Sequence, residues 1–103
     1  METNEHVSAS LDRLIHEPAR LAIVSQLSVV ESADATYLLR QTGLTWGNLS
    51  SHLAKLSAAG YVHASKSYNG VKPVTMIELT DAGRAAFRSY RDALLRTLHS
   101  LPD

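Results

Sequence analysis

One stretch of the sequence, residues 36–79, constrains the fold more than any other. Two helical patterns lie on either side of Gly43-Leu44-Thr45, where the glycine permits a sharp turn and Thr45 can cap the second helix. After Gly60 the spacing of apolar residues changes from helical to extended, and Asn69-Gly70 is a strong signal for a hairpin turn. The stretch therefore predicts a helix-turn-helix unit followed directly by a β-hairpin.

Apolar residues at steps of three and four predict further helices before and after this unit. We expect residues 1–7 to fray, residues 36–60 to form the helix-turn-helix, residues 61–79 the hairpin and residues 80–101 a C-terminal helix. The predicted fold class is mainly α (α+β): one winged helix-turn-helix domain over residues 1–103, with a two-stranded wing hairpin and terminal dimerisation helices. The predicted caps are Ser8 or Ser10 for a short first helix carrying Leu11, Leu14 and Ile15, then Thr36, Thr45 and Thr80 for later helices. Pro18 suits the first turn of the second helix, where its missing N–H would be unpaired in any case.

Length and cysteine content exclude several classes of protein. A chain of 103 residues forms one compact domain. The absence of cysteine excludes a disulfide scaffold, a thiolate zinc site, an iron–sulfur cluster and thiol catalysis. The first ten residues are polar with no apolar signal region, and the longest apolar run, Leu21–Val24, is far too short to cross a bilayer. We therefore expect a soluble cytoplasmic domain that does not contact membranes.

Charge is unevenly distributed along a chain whose net charge is zero. Residues 1–34 contain six acidic and two basic residues, whereas residues 35–77 contain four basic residues and no acidic one. A long segment without carboxylates is typical of a face that meets an anion, although chance could also produce it. The whole of the predicted helix-turn-helix lies within this segment, as does the predicted hairpin except for its last two residues.

The second helix of the pair, Trp46–Ala59, has one apolar and one small polar face. Leu49, Leu53 and Leu56 point in one direction at 100° per residue, while Gly47 and Ser51 point away. Small and polar side chains let a helix sit deep in a DNA groove and bond to base edges or phosphates. An ordinary surface helix with a polar face would show the same pattern.

The tip of the predicted hairpin, residues 66–72, carries two lysines and no acidic residue. A loop that lies along a phosphate backbone requires such a composition. Lysines that protect the edge strands of a surface hairpin from aggregation are the alternative interpretation.

The run LTWGNLSSHLAKLSAAGYVHASKSYNGVKPVTMIELTDAGRAAFRSY resembles the stand-alone winged-helix regulators related to the MarR and ArsR groups. The resemblance extends over about Leu11 to Leu98 and implies a homodimeric bacterial or archaeal transcriptional regulator. It departs from the family at Val71, where a basic residue commonly follows the wing glycine. The DNA-binding residues that it implies are Thr45, Trp46, Gly47, Asn48, Ser50, Ser51 and Lys55 in the recognition helix, and Lys66, Tyr68, Asn69 and Lys72 in the wing.

The two ends of the chain carry more leucine than one small core needs. An exposed apolar stripe of this kind usually marks an oligomer interface. We therefore expect a two-fold homodimer built from the terminal helices. The predicted dimerisation residues are Leu11, Leu14, Ile15, Tyr90, Leu94, Leu95, Leu98 and Leu101.

The sequence predicts neither a metal site nor an enzyme. None of the five histidines has another four residues away on one helix face. Ser50 and Ser51 have no neighbouring histidine and acid arranged as a nucleophile triad. No cofactor is expected, and the sequence does not identify a small-molecule effector.

These observations favour a sequence-specific regulator that binds double-stranded DNA, most plausibly a dimeric repressor on a near-palindromic operator. The alternative is a winged-helix protein-interaction module with weak or no DNA binding, which the neutral charge and Val71 would suit. Both functions predict the same fold.

Overall fold

The computed structural model describes residues 11–102. Four helices and three strands follow one another along this part of the chain. They are α1 (Pro18–Ser28), β1 (Ala33–Asp34), α2 (Ala35–Thr42), α3 (Trp46–Ala58), β2 (Val62–Asn69), β3 (Lys72–Leu79) and α4 (Asp81–His99). No helix in this range is long and apolar enough to cross a membrane.

The three strands form one antiparallel sheet in the order β1-β3-β2. Strands β2 and β3 are the predicted wing, joined by the turn at Gly70, whose φ of 67° is left-handed. The sequence did not predict β1, which pairs with Ile77 and Met76 of β3. Two residues are too few to show the alternation of apolar and polar side chains that identifies a strand.

Side-chain caps fix where the helices begin. Thr45 Oγ1 accepts a hydrogen bond from the Asn48 amide at 3.2 Å, and Thr80 Oγ1 accepts one from the Gly83 amide at 3.0 Å, as predicted. The cap expected at Thr36 is wrong. Asp34 Oδ1 accepts a hydrogen bond from the backbone amide of Tyr37 at 2.7 Å, so α2 begins at Ala35, two residues earlier than a cap at Thr36 would allow.

The segment before α1 also differs from the prediction. Residues 13–15 form a single turn rather than the short helix expected there. Asp12 closes it, since its Oδ1 accepts hydrogen bonds from the amides of Leu14 at 2.9 Å and Ile15 at 3.2 Å. The caps expected at Ser8 or Ser10, and the fraying expected over residues 1–7, fall outside the described residues.

Two apolar clusters hold these elements together. The larger lies between α1, α2, α3 and the sheet, and the smaller joins the segment before α1 to α4. Gly83 lets the start of α4 approach the backbone just before β2, because a Cβ at this position would lie 2.1 Å from the carbonyl oxygen of Tyr61. The fully buried large residues are Ile15, Ile23, Val24, Leu27, Leu38, Leu49, Leu56 and Ile77.

Candidate nucleic-acid interface

One face of helix α3 packs against the core, and the opposite face is exposed to solvent. Leu49 and Leu56 are fully buried and Leu53 is half-buried, so the helix is anchored against the larger core cluster. The side chain of Trp46 is 59% exposed at the start of the helix. The residues exposed along the outer face include every predicted contact in this helix: Thr45, Trp46, Gly47, Asn48, Ser50, Ser51 and Lys55.

The wing presents an almost wholly exposed surface. Only Val62 is buried in β2, and the side chain of Tyr68 is 70% exposed. Lys66 and Tyr68 lie two residues apart on one strand and so share a face. Asn69 and Lys72 pair with each other beside the turn. The four predicted wing contacts therefore all lie where a ligand can reach them.

A groove of about 350 Å³ lies between the start of α3 and the wing. It is lined by Trp46 from the helix and by Asn69 and Lys72 from the hairpin. The fold thus joins contacts predicted on two separate elements into one surface. Lys55, Lys66 and Tyr68 do not line the groove, and they extend the surface beyond it.

Two lining residues, Thr36 and Arg40, were not among the predicted contacts. Both belong to α2 and are exposed. Arg40 was visible in the sequence as one of the four basic residues of the acid-free segment. Its distance from the wing depends on tertiary packing, which no sequence spacing reveals. Asp34 also lines the groove, and one oxygen of this carboxylate is engaged in capping α2.

A polar network fixes α3 against the start of α1. His52 Nδ1 lies 3.1 Å from Arg20 Nη1, and since arginine only donates, this nitrogen accepts the hydrogen bond. Glu17 Oε2 lies 3.7 Å from His52 Nε2 and 3.9 Å from Arg20 Nη1. The network links α3 to the start of α1 at the half-buried edge of α3.

Glu17 also caps α1 through the amides of Ala19 and Arg20. Burial acts to raise the pKa of the Glu17 carboxyl, but these two hydrogen bonds and the electrostatic attraction of His52 and Arg20 outweigh it. The pKa of Glu17 is therefore lowered, and the carboxylate that both caps α1 and faces His52 stays ionised at neutral pH.

The predicted dimerisation residues separate into three groups by burial. Leu11, Ile15 and Tyr90 are buried within the chain, where they form the smaller core cluster with Ala93. Part of the expected surplus of apolar residues is therefore used inside one protomer. Leu14 and Leu94 are half-buried, while Leu95, Leu98 and Leu101 remain exposed near the end of the chain.

Between residues 11 and 102 no group of three or more histidine, cysteine, aspartate or glutamate side chains is placed to hold a metal ion. The exposed face of α3 and the wing offers amides, hydroxyls, an indole and cations. This set of groups suits binding to an anionic, hydrogen-bonding polymer.

Residues 19–98 match the family model of the winged-helix DNA-binding domain. The chain belongs to this family. The match confirms the winged-helix fold and the resemblance to winged-helix regulators, and it confirms that the chain is a DNA-binding domain rather than an enzyme. A similar protein, an uncharacterized protein of Methanocaldococcus jannaschii, is 35% identical over 78 residues, which cover 76% of this chain and 85% of that protein.

Solved structures share the fold. A transcriptional regulator homologue from Pyrococcus horikoshii OT3 superposes with a TM-score of 0.88 at 27% identity, with 100% of both chains covered. The transcriptional repressor CouR, solved with a 23-mer DNA duplex, superposes with a TM-score of 0.72 at 17% identity over 96% of this chain and 75% of that one. At that identity the second comparison establishes the fold alone.

Proposed function

We propose that this winged-helix protein is a sequence-specific transcriptional regulator that represses from a near-palindromic operator as a homodimer. The observation that carries the proposal is the surface formed by the outer face of α3, the groove and the wing. Its basic residues are Arg40, Lys55, Lys66 and Lys72, and the capping residue Asp34 is the acidic residue that lines the groove.

The proposed roles follow from side-chain chemistry and position. Asn48 and Ser51 lie on the exposed face of α3, where short polar side chains can read base edges in the major groove. Lys66 and Lys72 are point charges on the wing, and they suit contacts with flanking phosphates. Arg40 and Trp46 face the same groove and extend the backbone contacts between helix and wing.

Dimerisation is supported by the exposed leucines at the end of α4. Leu95, Leu98 and Leu101 are each about half exposed to solvent, and exposed leucines in succession are typical of an interface. A two-fold dimer would place its recognition helices in successive major grooves about 34 Å apart, which requires a near-palindromic operator. A structural neighbour, CouR, is a transcriptional repressor, which is consistent with this role.

The experiment is selection of bound sequences from a random duplex pool, followed by titration of the selected duplex. The proposal expects enrichment of a two-fold symmetric sequence. A matched pair of variants, Asn48→Ala in α3 and Gln41→Ala on the exposed surface of α2, controls for non-specific effects. If Asn48→Ala loses selectivity and Gln41→Ala does not, the result supports α3 as the helix that reads the DNA sequence.

One observation favours the second candidate, a protein-interaction module. Val71 at the wing tip is 97% exposed, at a position where the family commonly has a basic residue. A wing without that charge holds DNA less tightly. If the selection enriches no sequence and the protein does not retain random duplex at low salt, this candidate replaces the first.

A further inference from the structure

Trp46 is the largest apolar side chain on the α3–wing surface, which comprises the outer face of α3, the groove and the wing. It is the single tryptophan of the chain and the first residue of α3, and its side chain is 59% exposed. The exposed residues that follow it in α3 are small or polar: Gly47, Asn48, Ser50 and Ser51. The indole therefore leaves an apolar ring in water on a helix face that otherwise offers hydrogen bonds and charge.

The indole is not needed to hold the start of α3. A hydrophobic staple joins the residue before the cap to the fourth residue of a helix, and these positions are Leu44 and Leu49. Leu49 is fully buried in the larger core cluster, and the half-buried Leu44 packs against that cluster. Thr45 supplies the polar cap. Both contacts that usually fix the start of a helix are present without Trp46, so its exposed ring is available to a ligand.

Trp46 lies on the side of α3 that faces the wing. It lines the groove with Lys72 of the wing, and Arg40 of α2 lines the same groove. Asn48 and Ser51 lie about 160° and 140° from Trp46 around the helix, so they are on the other side of α3. The first turn of a recognition helix in a major groove contacts base edges. Trp46 would therefore meet a base pair on the wing side of those within reach of Asn48 and Ser51.

The chemistry of an indole restricts which base edge it can recognise. Its ring is apolar apart from one donor, Nε1–H, which suits the backbone contact proposed above. Among the groups by which base pairs are distinguished in the major groove, the 5-methyl of thymine is the apolar one. The donors and acceptors of a G·C pair would lose water under the ring without gaining equivalent hydrogen bonds. The ring therefore favours a thymine.

We propose that the Trp46 ring covers the 5-methyl group of one thymine in each half-site of the operator. This inference rests on the proposed function, because it names a base that the same surface selects. Arg40 and Lys72, the proposed phosphate contacts, line the groove together with the indole, which places the ring between the DNA backbone and the base edges. Trp46 is thus a specificity-determining residue that reads a methyl group rather than a hydrogen-bonding edge.

The test replaces thymine by uracil in the selected duplex, one symmetric pair of positions at a time. Uracil retains every hydrogen-bonding group of thymine and lacks only the methyl. We expect one pair of positions at which the replacement weakens binding about fourfold per half-site, or about fifteenfold for the dimer, as the loss of one buried methyl predicts. At that pair, Trp46→Ala should bind the thymine and uracil duplexes equally.

Two further points make the comparison specific to the indole. Trp46 is exposed and takes no part in the cap, so Trp46→Ala leaves the core and the start of α3 intact. The matched control, Tyr68→Ala, removes another exposed ring from the wing and should keep the difference between thymine and uracil duplexes.

The fluorescence of the wild-type protein provides a second measurement. Trp46 is the single tryptophan, so the tryptophan emission reports on this ring alone. Binding of the selected duplex should shift the emission to shorter wavelength and reduce its quenching by acrylamide, because the ring leaves water.

The results distinguish this inference from the function on which it rests. If no duplex is enriched or bound, both are overturned. If a symmetric operator is enriched and bound, three results would each overturn the inference alone. These are the absence of any thymine pair at which wild type distinguishes uracil, an equal loss in wild type and Trp46→Ala at every pair, and tryptophan emission that DNA leaves unchanged.

Discussion

Asn48 and Lys72 lie on the same exposed surface but differ in what their side chains can recognise. The amide of asparagine can donate and accept toward one base edge, whereas a lysine ammonium meets any phosphate equally well. At the scale of single residues, we therefore expect the surface to divide into side chains that select a sequence and side chains that hold the backbone.

We expect Asn48→Ala to cost about 1–3 kcal/mol of operator binding per half-site and to relax selectivity at one base position. Lys72→Ala and Arg40→Gln should instead weaken all duplexes about equally and lower the salt dependence by about one counterion per protomer. Competition titrations with operator and random duplex distinguish the two effects. Equal losses on both duplexes in all three variants would show that the roles are wrongly divided.

A single hydrogen bond joins the segment before α1 to the start of the wing. Tyr61 donates through its hydroxyl to Asp12 Oδ2 at 2.6 Å. This bond, together with burial and the charge of Asp12, raises the pKa of Tyr61 to about 12 from an ordinary value of 10.0.

Tyr61→Phe should lower the free energy of unfolding by about 1.5–3 kcal/mol at neutral pH, because a hydrogen bond to a carboxylate is lost. Since the folded pKa is raised, the stabilisation is complete below the unfolded value of 10.0 and disappears as the pH rises through about 12. Urea denaturation of both proteins over this range should show their stabilities converging. A constant difference, or an equal loss in the exposed control Tyr68→Phe, would contradict this explanation.

At the scale of elements, the recognition helix depends on how α1 begins. Glu17 caps α1 and faces His52 on α3, so one carboxylate links the two helices. Removing it leaves two amides uncapped and takes away the anion that balances Arg20 at this contact.

Glu17→Ala should destabilise the protein by about 1 kcal/mol, the typical cost of a lost cap. The folded pKa of Glu17 lies below its ordinary value of 4.5, so its contribution is present above that pH and is lost as the pH falls through the folded value. The difference between wild type and variant should therefore shrink in acid. Thermal unfolding at neutral pH and at about pH 4 measures it, with the exposed Glu31→Ala as control. A difference that persists undiminished in acid would exclude the capping role.

Caps and turns that are determined by a few adjacent residues could be predicted from the sequence. Thr45 and Thr80 cap as expected, and the turn at Gly70 lies where Asn69-Gly70 predicts a hairpin. At the start of α2, both Asp34 and Thr36 are residue types that cap helices, so the local sequence does not distinguish them. Asp34 rather than Thr36 caps α2, because the chain enters the helix directly from β1.

Features that depend on distant contacts could not be predicted. Strand β1 exists because β3 offers it a partner, and the turn at residues 13–15 is held by Asp12 and packs against α4. The position of Arg40 in the groove also depends on distant contacts, because the whole of α3 lies between α2 and the wing in the sequence. The sequence therefore did not predict that Arg40 lines the same groove as Trp46, Asn69 and Lys72.

At the scale of the whole molecule, the described chain is elongated, with extents of 56 × 25 × 21 Å. Its radius of gyration is 15.4 Å, whereas a compact domain of this length has about 13 Å. An elongated chain that exposes leucines at the end of its last helix is suited to assembly.

Leu98→Asp should yield monomers, because a buried unpaired carboxylate is not tolerated in an apolar interface. Operator binding should weaken sharply, since one protomer then reaches only one half-site. Sedimentation at micromolar concentration measures the change. Ala85→Asp, which adds the same charge at an exposed position in the first half of α4, should remain dimeric. A wild-type protein that sediments as a monomer would contradict the dimer.

The salt dependence of operator binding tests the central claim most directly. If Lys55, Lys66 and Lys72 contact phosphates as we propose, a dimer makes about six such contacts, which corresponds to a log–log slope of about −5, and Arg40 would steepen it to about −7. The account predicts a slope in this range for the selected operator, and a shallower slope when Lys72 or Arg40 is replaced. Failure to bind any selected or random duplex at about 50 mM salt would contradict the assignment of the α3–wing surface to DNA.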